Sequence, residues 1–149
     1  NLTFAIPLYS DVPSHHDYIV QADGAFDETI KGILALKERG QRVELRIVLH
    51  KLSIARLPGL CEFIYRNLTF VDHIALMGLE VTGFAKANLE KLWIDPWYYR
   101  AVLSESALFL DRMGMNVSIF NHQLCTLDRS AWRLARKSIS DWKNEYEPI

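Results

Sequence analysis

The 149 residues hold only two cysteines, Cys61 and Cys125, too few for a disulfide framework or for a complete cysteine metal site. No G-x-G-x-x-G, G-x-x-x-x-G-K-[ST] or G-x-S-x-G occurs, which removes the dinucleotide-binding, P-loop and α/β-hydrolase motifs together. Charge of neither sign is in excess: 17 basic and 18 acidic side chains supply no field to hold nucleic acid or an anionic membrane. No apolar run approaches the roughly 20 residues of a membrane span, and Asn1-Leu2-Thr3-Phe4 lacks the basic start and cleavage site of a secretory signal. The expectation is a soluble, cytoplasmic chain with no nucleic-acid or membrane partner. Asn-x-Ser/Thr triplets at Asn1, Asn67 and Asn116 carry no weight without such a signal.

What is present is an apolar half and 23% charge, the composition of a globular chain with a real core. Apolar, β-favouring runs alternate four times with helical patterns. The strands are predicted at Leu2 to Tyr9, Val43 to His50, Val71 to Leu76 and Asn116 to Asn121. After the first comes a polar loop, Ser10 to Asp23. A helix then runs from Ala25 to Glu38, with Asp23 as N-cap, acidic residues in its first turn and Gly40 as its stop. The second helix is defined by Pro58 near its first turn and by the stripe Leu57, Leu60, Cys61, Ile64 and Leu68. A third is expected to open at Asp95-Pro96 and close at Gly114, burying Tyr99, Val102, Leu103, Ala107, Leu110 and Met113. Asp128 is placed as the cap of a short last helix through Ala135. The fold class is α/β: four consecutive βα units forming a parallel sheet, better matched to part of a (β/α) TIM-like barrel than to a dinucleotide-binding half.

In barrels the working side chains stand at the C-terminal ends of strands and in the loops beyond. Ser10, Asp11, His15, His16 and Asp17 form one such group. Arg46, His50 and Lys51 form a second; Met77, Glu80 and Thr82 a third; Asn121, His122 and Cys125 a fourth. His15-His16-Asp17 reads either as metal ligands or, since adjacent side chains in an extended loop diverge, as a hydrogen-bonding motif at the approach to the first helix. Glu80 reads as a general base or as a carboxylate tied to backbone amides or to Arg46. Arg46 reads either as a lumen guanidinium needing an anionic partner or as a helix-side surface group that snorkels; since Glu44, Arg46 and Val48 share one face of their strand and Leu45, Ile47 and Leu49 the apolar other, the lumen reading is preferred. Cys125 follows His122 by three residues, either a ligand pair or a small buried hydrophobe beside a histidine; Cys61 falls on the apolar stripe and reads as core. Trp132, Trp142 and Tyr146 are stacking surfaces or, at helical spacing, packing.

Five segments taken together resemble a known family. They are His16-Asp17 through Gly24-Ala25-Phe26-Asp27-Glu28-Thr29-Ile30-Lys31-Gly32-Ile33; Val43 to Lys51; Ala75-Leu76-Met77-Gly78-Leu79-Glu80-Val81-Thr82-Gly83; Met115 to Cys125; and Ser138 to Asn144. With Ile6-Pro7-Leu8-Tyr9-Ser10-Asp11, the sequence resembles the latter half of the radical SAM superfamily, and within it the radical SAM maturases of the His-Xaa-Ser peptide-modification system.

The resemblance implies a partial (β/α) barrel over residues 1–137 with a polar extension at 138–149. It implies S-adenosylmethionine and a four-iron four-sulfur cluster as cofactors of the full-length enzyme, forming a 5′-deoxyadenosyl radical that takes a hydrogen from a ribosomally made peptide. The C-x3-C-x2-C loop that holds such a cluster is absent, as is a G-G-E-type segment. Both are expected upstream of Asn1, so this chain alone is expected to bind no metal and to lack catalysis. Pro7 stands where a serine is usual, leaving Ser10 as its near neighbour, and Val20-Gln21 replaces a frequent arginine. The resemblance puts Ser10, Arg46 and Met77 on the cofactor side and Glu80, Asn121, His122 and Cys125 on the substrate side. The other reading is a half-barrel binding module without redox chemistry. Either way, open sheet edges predict a homodimer or other self-association.

Overall fold

The computed structural model describes residues 2–137; the extension from 138, with Trp142 and Tyr146, lies outside the described residues. Strand β1 (Thr3–Pro7) pairs in parallel with β2 (Arg42–Leu49), β2 with β3 (His73–Gly78), and β3 with β4 (Val117–Phe120), so the sheet order follows the chain order. Pro7 is tolerated because the Leu8 N–H points to β2, donating to the Arg46 carbonyl at 3.1 Å. By alternation the missing Pro7 donor then falls on the outer edge of β1.

A sheet whose order neither skips nor reverses, built with right-handed crossovers, collects its helices on one face. The burial pattern agrees. Val43, Leu45, Ile47 and Leu49 of β2 are buried on the helix side with Ile74, Leu76, Val117 and Ile119, while Arg46 on the opposite face is exposed. The placement of Arg46 on the face away from the helices thus follows the parity of its strand.

The loop after β1 is not all loop. It contains helix α1 (Pro13–Val20), whose proline lies in the first turn and whose end is the left-handed Gln21. It has no apolar stripe, since His16 is its one buried residue. It holds its place by polar reach: the two Asp17 oxygens accept from Gly24 N and Phe26 N, each at 2.8 Å. Those bonds cap helix α2 (Ala25–Glu38), so the cap predicted for Asp23 is supplied by Asp17 from seven and nine residues away. The bonds to Phe26 N and Gly24 N outweigh the opposing effect of burial and hold the Asp17 carboxyl below its usual range.

After β2, His50 opens the one-turn helix α3 (Lys51–Ile54) with a capping box, its Nδ1 accepting from Leu52 N and Ser53 N while Ser53 Oγ accepts from His50 N. Helix α4 (Leu57–Asn67) buries Leu57, Leu60, Cys61 and Ile64 as the stripe requires, and Leu68 closes it from just beyond its end. Burial pushes the Cys61 thiol up to about 12, which makes it an inert core residue. Short helices α5 (Gly83–Ala87) and α6 (Leu89–Leu92) follow β3.

Helix α7 (Arg100–Arg112) begins later than expected: Asp95 accepts from Trp97 N, but the turn it makes ends before the helix begins. Of the predicted stripe, Leu103, Ala107 and Leu110 are fully buried and Met113 is exposed. Two 3-10 turns, Leu124–Thr126 and Arg129–Leu134, end the described chain; Asp128 precedes the second, but its side chain makes no cap and bridges Arg100 at 3.4 Å. Among the described residues no helix is long and apolar enough to cross a membrane.

Candidate functional site

The face of the sheet turned from the helices carries the chemistry. Parallel register sets its side chains in rows: Glu44 beside His73, then Arg46 beside Ala75 beside Ser118, then Met77 beside Phe120. Small Ala75 leaves a hollow, and a cavity of about 370 Å³ opens over it, walled by Arg46, Met77, Glu80, Phe120 and Asn121. Four of the expected site residues, Arg46, Met77, Glu80 and Asn121, are thereby brought to one place although they come from three strands and their ends.

Arg46 Nε donates to Glu44 Oε1 at 2.7 Å, so the arginine's partner is Glu44 and not Glu80. The second oxygen, Glu44 Oε2, lies 2.8 Å from His73 Nδ1, and His73 Nε2 lies 2.9 Å from Ser118 Oγ. Burial raises the Glu44 pKa, but the hydrogen bonds from Arg46 and His73 prevail and hold the carboxyl below its ordinary value. Glu80 accepts from Asn121 Nδ2 at 3.1 Å. Asn121 has a left-handed backbone, φ 55°, a conformation that costs a non-glycine residue energy and clusters at working sites.

His122 follows directly. Its ring stands edge-on to Tyr99, centroids 5.7 Å apart, and neither nitrogen has a hydrogen-bond partner. Burial lowers its pKa to about 4, so the ring is neutral at physiological pH. It lines a second cavity, about 530 Å³, with Trp132, Arg136 and Lys137. Trp132 is held by its Nε1, which donates to the Leu124 and Leu127 carbonyls, while its ring stays partly exposed at the cavity.

Two expectations fail on placement. Ser10 is fully buried, with its Oγ accepting from Val12 N at 3.0 Å and lying 3.0 Å from His15 Nδ1, so it does not reach the cavity. Cys125 is neither a buried hydrophobe nor a partner of His122: it sits exposed on a 3-10 turn, its Sγ 3.6 Å from Gln123 Oε1. His15, His16 and Asp17 follow the hydrogen-bonding reading, with His16 Nδ1 accepting from Tyr9 N at 3.2 Å, His15 Nδ1 lying 3.0 Å from Ser10 Oγ and Asp17 accepting from Gly24 N and Phe26 N; the described residues contain no group of three ligands able to hold a metal. His73 was missed. Its parity, shared with Ala75 and Met77, places it on Arg46's face and is the signal that finds it.

Fold and site define an α/β protein with a four-stranded, all-parallel sheet, helices on one side and a polar, cavity-bearing face on the other. No family model, curated protein or solved structure matches the chain.

Proposed function

We propose that the chain is the latter half of a radical SAM barrel, and that its open face is one wall of an adenosylmethionine and peptide site. The observation that carries this reading is the cavity over Ala75, where Arg46, Met77, Glu80 and Asn121 converge at the C-terminal end of sequentially ordered parallel strands. The residues fit the two cofactors unequally. Arg46 offers a guanidinium for a carboxylate and Met77 an apolar surface for a planar ring. An iron–sulfur cluster does not fit here: Cys61 is buried with its thiol raised to about 12, Cys125 is exposed and alone, and no third cysteine exists. The cluster ligands of this reading belong to sequence outside these 149 residues.

When bound in the whole enzyme, the cofactor pair would supply hydrogen-atom abstraction. This chain's residues would orient and shield: Arg46 anchors an anionic group, Asn121 keeps Glu80 directed along the wall, and Met77 and Phe120 exclude water. The test is reconstitution with iron and sulfide beside the sequence that precedes Asn1 in its gene. The expected results are no four-iron absorbance from this chain and a C-x3-C-x2-C loop about 100–125 residues upstream, as half a barrel requires. A stoichiometric cluster on the isolated chain, or an upstream frame without the cysteines, overturns the proposal.

A further inference from the structure

We propose a second chemistry on the same sheet face: Ser118 is a nucleophile, His73 its base and Glu44 the carboxylate that positions the base, a set suited to cleaving a small ester. Ser–His–carboxylate sets are recognised by geometry and roles, independent of fold and chain order. Here the order across the sheet face is Glu44 Oε2, 2.8 Å, His73 Nδ1, then Nε2, 2.9 Å, Ser118 Oγ of the next row. The nitrogens are the ones the chemistry needs. An ionised Glu44 can only accept, so in the neutral imidazole the proton sits on Nδ1, leaving Nε2 to accept from the Ser118 hydroxyl. Arg46 occupies the other Glu44 oxygen at 2.7 Å and keeps that carboxylate charged. Phe120 stands edge-on to the imidazole, centroids 6.3 Å apart, and limits its rotation.

Register places Arg46 and Ser118 on either side of Ala75. An acyl carbonyl lying over Ala75 therefore has the serine on one flank and, on the other, a cation to meet the oxyanion. Ser118 is buried, only 5% exposed, so a small acyl ester and not a polymer can reach its hydroxyl. In the first step the Ser118 Oγ–carbonyl carbon bond forms, its proton passes to His73 Nε2, and the ester C–O bond breaks as the alcohol takes that proton away. Water then attacks the acyl carbon and gives a proton to Nε2, the carbon–Ser118 Oγ bond breaks and Oγ takes that proton back, so that ester and water become acid and alcohol. The set is complete within the described chain and does not rest on the cofactor chemistry proposed above.

The experiment treats the full 149-residue chain with a fluorophosphonate probe and p-nitrophenyl acetate, and maps the adduct by peptide mass. A single adduct on Ser118 is expected, absent from Ser118→Ala, with acylation slowed about 100-fold or more in His73→Gln. Circular dichroism and the thermal midpoint verify that both variants fold. Because the adduct is mapped on the unaltered chain, a variant that fails to fold does not protect the proposal. An unlabelled wild-type chain, or an adduct on any other residue, overturns it.

Discussion

The carbonyl oxygen of Asn121 occupies the space that a β-carbon on Gly78 would need. The ends of β3 and β4 close on each other there, with His122 Nε2 also within 3.3 Å of that position. Gly78→Ala must push the backbone of Asn121 aside, and backbone yields less readily than the tip of a side chain. A loss of about 1–3 kcal/mol is expected, together with a weakened Asn121–Glu80 bond. Denaturant titration reads the first and amide chemical shifts at Glu80 and Asn121 the second; an unchanged midpoint would refute the close approach.

His122 carries the opposite sign. Leaving two imidazole nitrogens buried without partners costs about 1–3 kcal/mol, so an apolar residue of similar volume should raise stability. His122→Leu is expected to raise the thermal midpoint by several degrees and to impair whatever ligand enters the cavity beside Trp132. A lowered midpoint would mean that the ring has partners in solution.

The strands and the long helical patterns were legible because their burial is periodic, the first with its bounds at Ala25 and Glu38 and the third without its expected first turn. Leu57, Leu60, Cys61 and Ile64 recur at three and four, and the Arg46 face follows from a period of two. Helix α1 was not legible, because its purchase on the fold is the pair of Asp17 bonds seven and nine residues away, which no stripe announces. The candidate site divides the same way. Arg46, Met77, Glu80 and Asn121 stand where strand ends put them, but His73 joins residues 29 and 45 positions distant, and only the sheet register brings those together. Cys125 was misplaced because a 3-10 turn, lacking the parity of a strand, carried it outward.

The histidines predict an acid-sensitive fold. Burial lowers the pKa of His50 to about 4, that of His122 to about 4, and that of His16 below its usual value. An unfolded chain binds their protons near pH 6.5, whereas the folded one resists them. The stability they contribute is therefore fully present above about pH 6.5 and is lost as pH falls towards about 4. Below that, Glu44, Asp17, Asp72 and Asp111, all held under their ordinary values by hydrogen-bonded partners, add a second decline. The urea midpoint should fall between pH about 7.5 and about 5, and less so in His50→Asn, which keeps a helix cap but removes an imidazole. A midpoint constant over that interval, or a His50→Asn slope equal to the wild type, would contradict the assignment.

The two edges of the sheet are not equivalent, and that asymmetry decides how the chain should associate. Beyond β4, Arg136 N donates to the Ile119 carbonyl at 2.8 Å and Ala135 bridges Ile119, so part of that edge is already satisfied. Beyond β1, among the described residues, no strand pairs, and Pro7 blocks only its end. Because Leu8 N points to β2, the Ala5 N–H points outward, free to pair with a second copy. Self-association through β1 is the expected result, seen by light scattering as a mass above the monomer's that grows with concentration. Ala5→Pro removes the outward donor without touching the β1–β2 ladder, and the residue before it stays in the extended region that proline prefers. That variant should return to the monomer mass with its circular dichroism unchanged; a wild-type chain monomeric at high concentration, or an Ala5→Pro chain that still associates, rules the β1 edge out as the interface.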